Sequence, residues 1–166
     1  MAQYTLAQLN QMTQTEFTVA LGNIFEHTPV IACESWPKRP FASVEALHQV
    51  MVAVMQSLSP TEQRSLICAH PDLGSRVQMT TASVQEQASA GLNQLSKAEY
   101  EQFQTLNRTY QARFQFPFIV AVKDHTKDSI LKAFYQRLTH DATTEQATAL
   151  LEIAKIARFR LAAMIG

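Results

Sequence analysis

The sequence predicts an all-α protein, and three features carry that expectation. Apolar residues recur at helical spacing through most of the 166 residues, Ser or Thr stands three places ahead of Glu or Gln at segment after segment, and only four glycines interrupt the chain. With 46% hydrophobic residues, it has enough apolar surface for one core. The expected architecture is a single compact domain over residues 1–166, of about eight helices plus one extended apolar segment near residues 116–122.

Leu6, Leu9 and Met12 form a first short stripe. Thr13 and Glu16 have capping-box spacing ahead of Phe17, Ala20, Leu21, Ile24 and Phe25, a second helix that must stop before Pro29. Pro29, Pro37 and Pro40 surround Trp36, so Val30 to Phe41 reads as an ordered irregular connector. A helix resumes at Ser43, with Val44, Leu47, Met51, Val54 and Leu58 on its buried side. Ser59-Pro60-Thr61-Glu62 then supplies an N-cap, a first-turn proline and a capping glutamate for the next helix. Pro71 disfavours helical geometry at His70, which leaves this imidazole beside the last carbonyls of that helix, a position that favours the protonated ring.

A polar connector, residues 73–82, leads to Ser83 and Glu86, again at capping-box spacing, before a helix rich in small residues that include Ala88 and Gly91. Ser96 and Glu99 open the next helix. It places Tyr100, Phe103, Asn107, Tyr110 and Phe114 on one side, so Asn107 needs a hydrogen-bond partner within an aromatic stripe. Phe116 to Val122 breaks the helical period and carries Pro117, which makes it extended. With no second strand to pair with, its backbone donors and acceptors are expected to be open to a ligand. Ile130, Leu131, Phe134 and Leu138 mark another helix. Thr143 and Gln146 are expected to cap the last, where Ile153, Ile156, Ala157 and Arg160 share one face.

Composition excludes several function classes. Fourteen basic residues balance fourteen acidic ones, so a sequence-independent grip on nucleic acid or anionic lipid is not expected, and a small molecule or another protein chain is the expected partner. No apolar run is long enough for a membrane span. Cys33 and Cys68 are isolated and point to a reducing, cytoplasmic setting rather than a disulfide framework. The histidines show neither HxH nor HExxH spacing, so no metal is expected, and no glycine-rich phosphate loop occurs.

The chemical candidates each have a plain structural alternative. His70 is a general acid or simply a helix-terminal histidine. Ser83 and Glu86 are site residues or only a cap, as the same pattern at Thr13 and Ser96 carries no chemistry. A serine nucleophile at Ser83 lacks the GxSxG setting that exposes one. Arg160 is a ligand-holding cation or a salt-bridged residue whose stem covers apolar surface. Phe116 to Val122 is core or ligand cradle.

The motifs themselves add more. Phe25-Glu26-His27-Thr28-Pro29, Arg39-Pro40-Phe41, Ala69-His70-Pro71-Asp72-Leu73, Ser83-Val84-Gln85-Glu86-Gln87, Ala90-Gly91-Leu92, Leu106-Asn107, Tyr110, Phe114-Gln115-Phe116-Pro117-Phe118-Ile119 and Arg160-Leu161 occur together and in order. Together they resemble the OHCU decarboxylase family, whose members convert 2-oxo-4-hydroxy-4-carboxy-5-ureidoimidazoline to (S)-allantoin in the last step of urate oxidation. The resemblance implies that His70 handles the proton and that Glu86 is its acidic partner at the substrate hydroxyl. It further implies that Ser83 and Gln87 hydrogen-bond the substrate, that Pro71 lies beside it, and that the backbone from Phe118 through Ile119 to Val122 lines its ring. Arg160 matches an arginine that holds the substrate's polar groups. An all-helical fold and a homodimer are implied as well. The substrate's own ring imine accepts the electron pair, so no cofactor is expected. The chain departs from the family pattern at Val30, at Cys33-Glu34, and at Gln115, where glycine is usual.

Overall fold

Side-chain caps start most helices, and those at Thr13, Ser59 and Ser96 stand where the sequence places them. A computed structural model describes residues 3–75 and 80–166. In it Thr13, Ser59 and Ser96 each close a capping box with the glutamate three places on, and Thr5 with Gln8 and Thr126 with Ser129 do the same. The helices are α1 (Leu6–Gln11), α2 (Gln14–Leu21), α3 (Val30–Ser35), α4 (Val44–Ser57), α5 (Pro60–Cys68), α6 (Thr81–Ser89), α7 (Lys97–Phe114), α8 (Lys127–Arg137) and α9 (Ala142–Met164). Among the described residues the fold is all-helical, with no strand beyond an isolated bridge between Tyr4 and Ile165. Residues 76–79 of the expected connector lie outside the described residues.

Three local expectations are corrected. Helix α3 and the 3-10 turn Trp36–Lys38 occupy what reads as an irregular connector. Pro29 sits at the helix start with helical angles (φ −65°, ψ −17°), where its missing N–H costs nothing, and no proline follows until Pro37. Helix α6 is capped by Thr80, whose hydroxyl accepts the Ser83 N–H at 3.3 Å, so Ser83 and Glu86 lie inside the helix and not at its cap. Asp141, rather than Thr143, caps α9 by accepting the Thr144 N–H at 2.7 Å.

The chain divides into two compact units, Met1–Ala69 with Ala154–Gly166, and His70–Ile153. In the first, Leu9, Phe17, Leu21, Phe25, Ile31, Leu47 and Met51 are buried, as are Ala157 and Leu161 from the end of α9. Arg39 fastens the loop before α4: its guanidinium donates to the carbonyls of Asn10 (3.0 Å) and Met12 (2.8 Å) and lies 3.8 Å over the Trp36 ring.

The second unit is built on an aromatic cluster. Phe118 and Phe134 stack with centroids 3.7 Å apart, and the Tyr110 ring meets Phe118 edge-on at 5.2 Å. Within this cluster sits a polar knot. Tyr110 donates its hydroxyl to Glu145, whose carboxylate also takes Arg137 Nε at 2.9 Å and lies 2.9 Å from His140 Nδ1. Tyr110 and Glu145 are both fully buried. Burial, then the bond to Glu145, holds the Tyr110 hydroxyl well above its ordinary pKa, so it stays a donor.

Helix α7 ends at Gln115, which adopts the left-handed conformation (φ 62°) and returns its N–H to Gln111 at 2.8 Å. The glycine-type turn is therefore kept without the glycine, at the cost a Cβ imposes there. Gln115→Gly is expected to raise stability by about 1 kcal/mol, read as a higher Tm in thermal unfolding. Tyr110→Phe, which leaves Glu145 short of a donor, should lower stability by about 1–3 kcal/mol in urea titration.

Candidate functional site

Three of the candidate residues of the second unit lie on α6. Ser83, Glu86 and Gln87 stand at i, i+3 and i+4 and share one helix face. Ser83 and Gln87 are buried and Glu86 is partly exposed. Ser83 Oγ accepts from the Thr80 hydroxyl at 3.1 Å.

His70 follows Ala69, the C-cap of α5, so the proline rule places it where the sequence expects, and it is buried. Gln87 ties the loop after His70 to α6. Its Oε1 accepts the Gly74 N–H at 2.9 Å and its Nε2 donates to the Asp72 carbonyl at 3.4 Å. Gly74 is left-handed (φ 68°), a conformation that a side chain would strain and that glycine adopts freely. Asn107 finds its required partner here, donating to the Leu73 carbonyl at 2.9 Å. The structure thus brings the His70-Pro71-Asp72-Leu73-Gly74 loop to α6, with Gln87 holding the loop backbone.

The extended segment reaches the same helix. Residues 117–121 contain neither helix, turn nor bend, and Phe118, Ile119, Val120, Ala121 and Val122 are all buried. The 3-10 turn Val122–Asp124 packs against α6. The expectation that the segment's backbone stands open is corrected at two groups. Arg137 Nη1 donates to the Ile119 carbonyl, and Glu152 Oε2 accepts the Ala121 N–H at 2.8 Å. Arg160 belongs to the first unit, where its Nη1 lies 2.8 Å from Glu26 Oε2 and also donates to the carbonyls of Asn23 (3.3 Å) and Ile24 (3.4 Å). Both partners are buried.

Sequence reasoning missed Glu26, Arg137, Glu145 and Glu152 as organising residues. A signal was there for two of them: counted back from Ile156 by helical steps, the apolar face of α9 runs through Glu152, Ala149 and Glu145. Carboxylates at such positions need buried partners.

A family model described as OHCU decarboxylase matches residues 10–162. The chain belongs to the OHCU decarboxylase family. It is 46% identical to the 2-oxo-4-hydroxy-4-carboxy-5-ureidoimidazoline decarboxylase of Haloferax volcanii, over 98% of this chain and 96% of that one. It is also 46% identical to a Uric acid degradation bifunctional protein of Bacillus subtilis, covering 98% of this chain but 33% of that longer one. The crystal structure of an (S)-allantoin synthase superposes with a TM-score of 0.78 at 30% identity, over 98% of this chain and 54% of that one. Among the described residues, no helix is long and apolar enough to cross a membrane.

Asp72, in the loop of this OHCU decarboxylase family member, has its pKa raised by burial, with the hydrogen bond from Gln111 partly opposing. The folded chain then holds the Asp72 proton more tightly than the unfolded chain, so Asp72 costs stability as pH rises through its folded-state pKa. Asp72→Asn keeps an oxygen for Gln111. It should melt higher than the parent near neutral pH and lose that advantage as pH falls below the ordinary carboxylate range, in melts from about pH 3 to pH 8.

Proposed function

We propose that this chain catalyses the cofactor-independent decarboxylation of 2-oxo-4-hydroxy-4-carboxy-5-ureidoimidazoline to (S)-allantoin, closing urate oxidation. The observation that carries the reading is the face of α6: Ser83, Glu86 and Gln87 side by side, with Gln87 fastened to the loop that follows His70. Relatives at 46% identity named for this decarboxylation, and a structural neighbour named for (S)-allantoin, support it.

The reaction asks the protein only to orient the substrate and move protons. As carbon dioxide leaves, the electron pair of the breaking carbon–carboxylate bond passes into the ring C=N, and the ring nitrogen that receives it takes a proton from solvent. The resulting enol becomes the product carbonyl as its hydroxyl gives a proton to Glu86. The neighbouring carbon takes a proton from His70 on one face, which fixes the product's handedness. Ser83 and Gln87 hydrogen-bond the substrate, Pro71 lies beside it, and the backbone of Phe118, Ile119 and Val122 lines its ring. Gln87 therefore has two duties, since its amide also holds the loop. Arg160, its guanidinium oriented by Glu26, holds polar groups of the substrate, a task suited to a planar forked cation.

In this reading the whole chain works as one domain, in the cytoplasm and as a homodimer. Two free cysteines, Cys33 and Cys68, accord with a reducing compartment.

The unstable substrate can be generated in place from urate by upstream enzymes while circular dichroism follows allantoin formation. The protein should accelerate the appearance of one enantiomer over buffer; no acceleration by folded protein refutes the assignment. His70→Asn should fold normally and lower turnover by about a hundredfold or more, whereas an unchanged rate would reject His70 as the acid.

A further inference from the structure

The segment around Ile119 is a length of apolar chain without a sheet, yet its backbone is gripped by two charged side chains at positions two residues apart. The Ile119 carbonyl takes Arg137 Nη1, and the Ala121 N–H is accepted by Glu152 Oε2 at 2.8 Å. Neither side chain is on the segment itself: Arg137 ends α8 and Glu152 lies in α9. Each is buried, Arg137 6% and Glu152 9% exposed. Arg137 is itself anchored, by Glu145 through Nε at 2.9 Å and by the Phe118 ring 4.3 Å beneath its Cζ.

Across a planar trans peptide the C=O and the following N–H point to opposite sides. The Val120 N–H therefore points away from the Ile119 carbonyl that Arg137 holds, and the Val120 C=O points away from the Ala121 N–H that Glu152 holds. We infer that Arg137 and Glu152 are positioning residues: they fix the rotation of residues 118–122 about the chain direction and so aim the Val120 donor and acceptor at the ligand. This rests on the reading above that the backbone from Phe118 to Val122 lines the substrate ring. A buried carboxylate serves this end better than an apolar residue, because a charge-assisted hydrogen bond fixes a direction, which packing alone does not. Releasing the grip lets the segment roll, which weakens binding before it touches the proton transfers.

Glu152 is the position tested, since Arg137 is bound into the knot around Glu145. Glu152→Leu removes the acceptor, Glu152→Asp shortens its reach, and Glu152→Gln keeps an oxygen for the Ala121 N–H. Steady-state rates would be measured for the full chain with substrate generated from urate, alongside thermal melts. The expected result is a KM raised about tenfold in Glu152→Leu, with kcat changed far less, an intermediate rise in Glu152→Asp, and near-parental KM in Glu152→Gln. A purely structural role would instead lower the active fraction, hence apparent kcat, and leave KM where it was. If Glu152→Leu does not fold, Glu152→Asp against Glu152→Gln carries the comparison. Unchanged KM in the folded Leu or Asp variant, or a Gln variant as impaired as they are, overturns the inference while leaving the decarboxylase reading intact. Absence of acceleration by the parent protein overturns that reading, and this inference with it.

Discussion

The second unit depends on one buried carboxylate. Glu145 is fully buried and is met by the Tyr110 hydroxyl, Arg137 Nε at 2.9 Å and His140 Nδ1 at 2.9 Å. Taking a carboxylate and a guanidinium out of water is expensive, and such a pair is weak evidence of net stability. Its value lies in direction. Once Glu145 holds Arg137 in place, the far side of the same guanidinium reaches the Ile119 carbonyl and its flat face covers Phe118. An apolar residue of equal volume would fill the space without choosing which backbone group it meets.

A second constraint is the Gln87 amide. Both its oxygen and its nitrogen are committed to the backbone of the Asp72-Leu73-Gly74 turn, and Asn107 takes the carbonyl between them. Turns are stretches of chain whose backbone groups lack helical partners, and a buried one must find them elsewhere. Here primary amides provide them, since an amide donates and accepts within a few ångströms. The outcome is a loop following His70 that is held to the helix carrying Ser83 and Glu86 by the uncharged Gln87 amide.

Much of this was legible in the chain itself. The caps at Thr13, Ser59 and Ser96 stand where expected because a cap is a contract between residues three apart, and Pro71 ends α5 before His70 for an equally local reason. Local rules also misled where two residues competed for one task. Ser83 with Glu86 has the spacing of a cap, but Thr80 takes that position and starts α6 a turn earlier; Asp141 similarly displaces Thr143. Helix α3 is hidden by the prolines that flank it, because their number suggests a connector while their positions permit a helix: Pro29 is at its start and Pro37 lies beyond its end. Gln115 departs from the family pattern, and its left-handed φ shows that the turn forms without a glycine.

By itself the sequence determined the helical class, the starts of α2, α5 and α7, the family, and the short motifs His70-Pro71-Asp72-Leu73 and Ser83 to Gln87, all of which are written in short stretches of chain. The tertiary structure alone decided who pays for the buried charges. Glu152 finds the Ala121 N–H across 31 positions and Gln111 finds Asp72 across 39, while Arg160 meets Glu26 from the other end of the chain. Helical periodicity can flag a carboxylate on an apolar face, but its partner is set by which backbone and side chains the packed helices deliver to that spot, and no spacing along the chain encodes that distance.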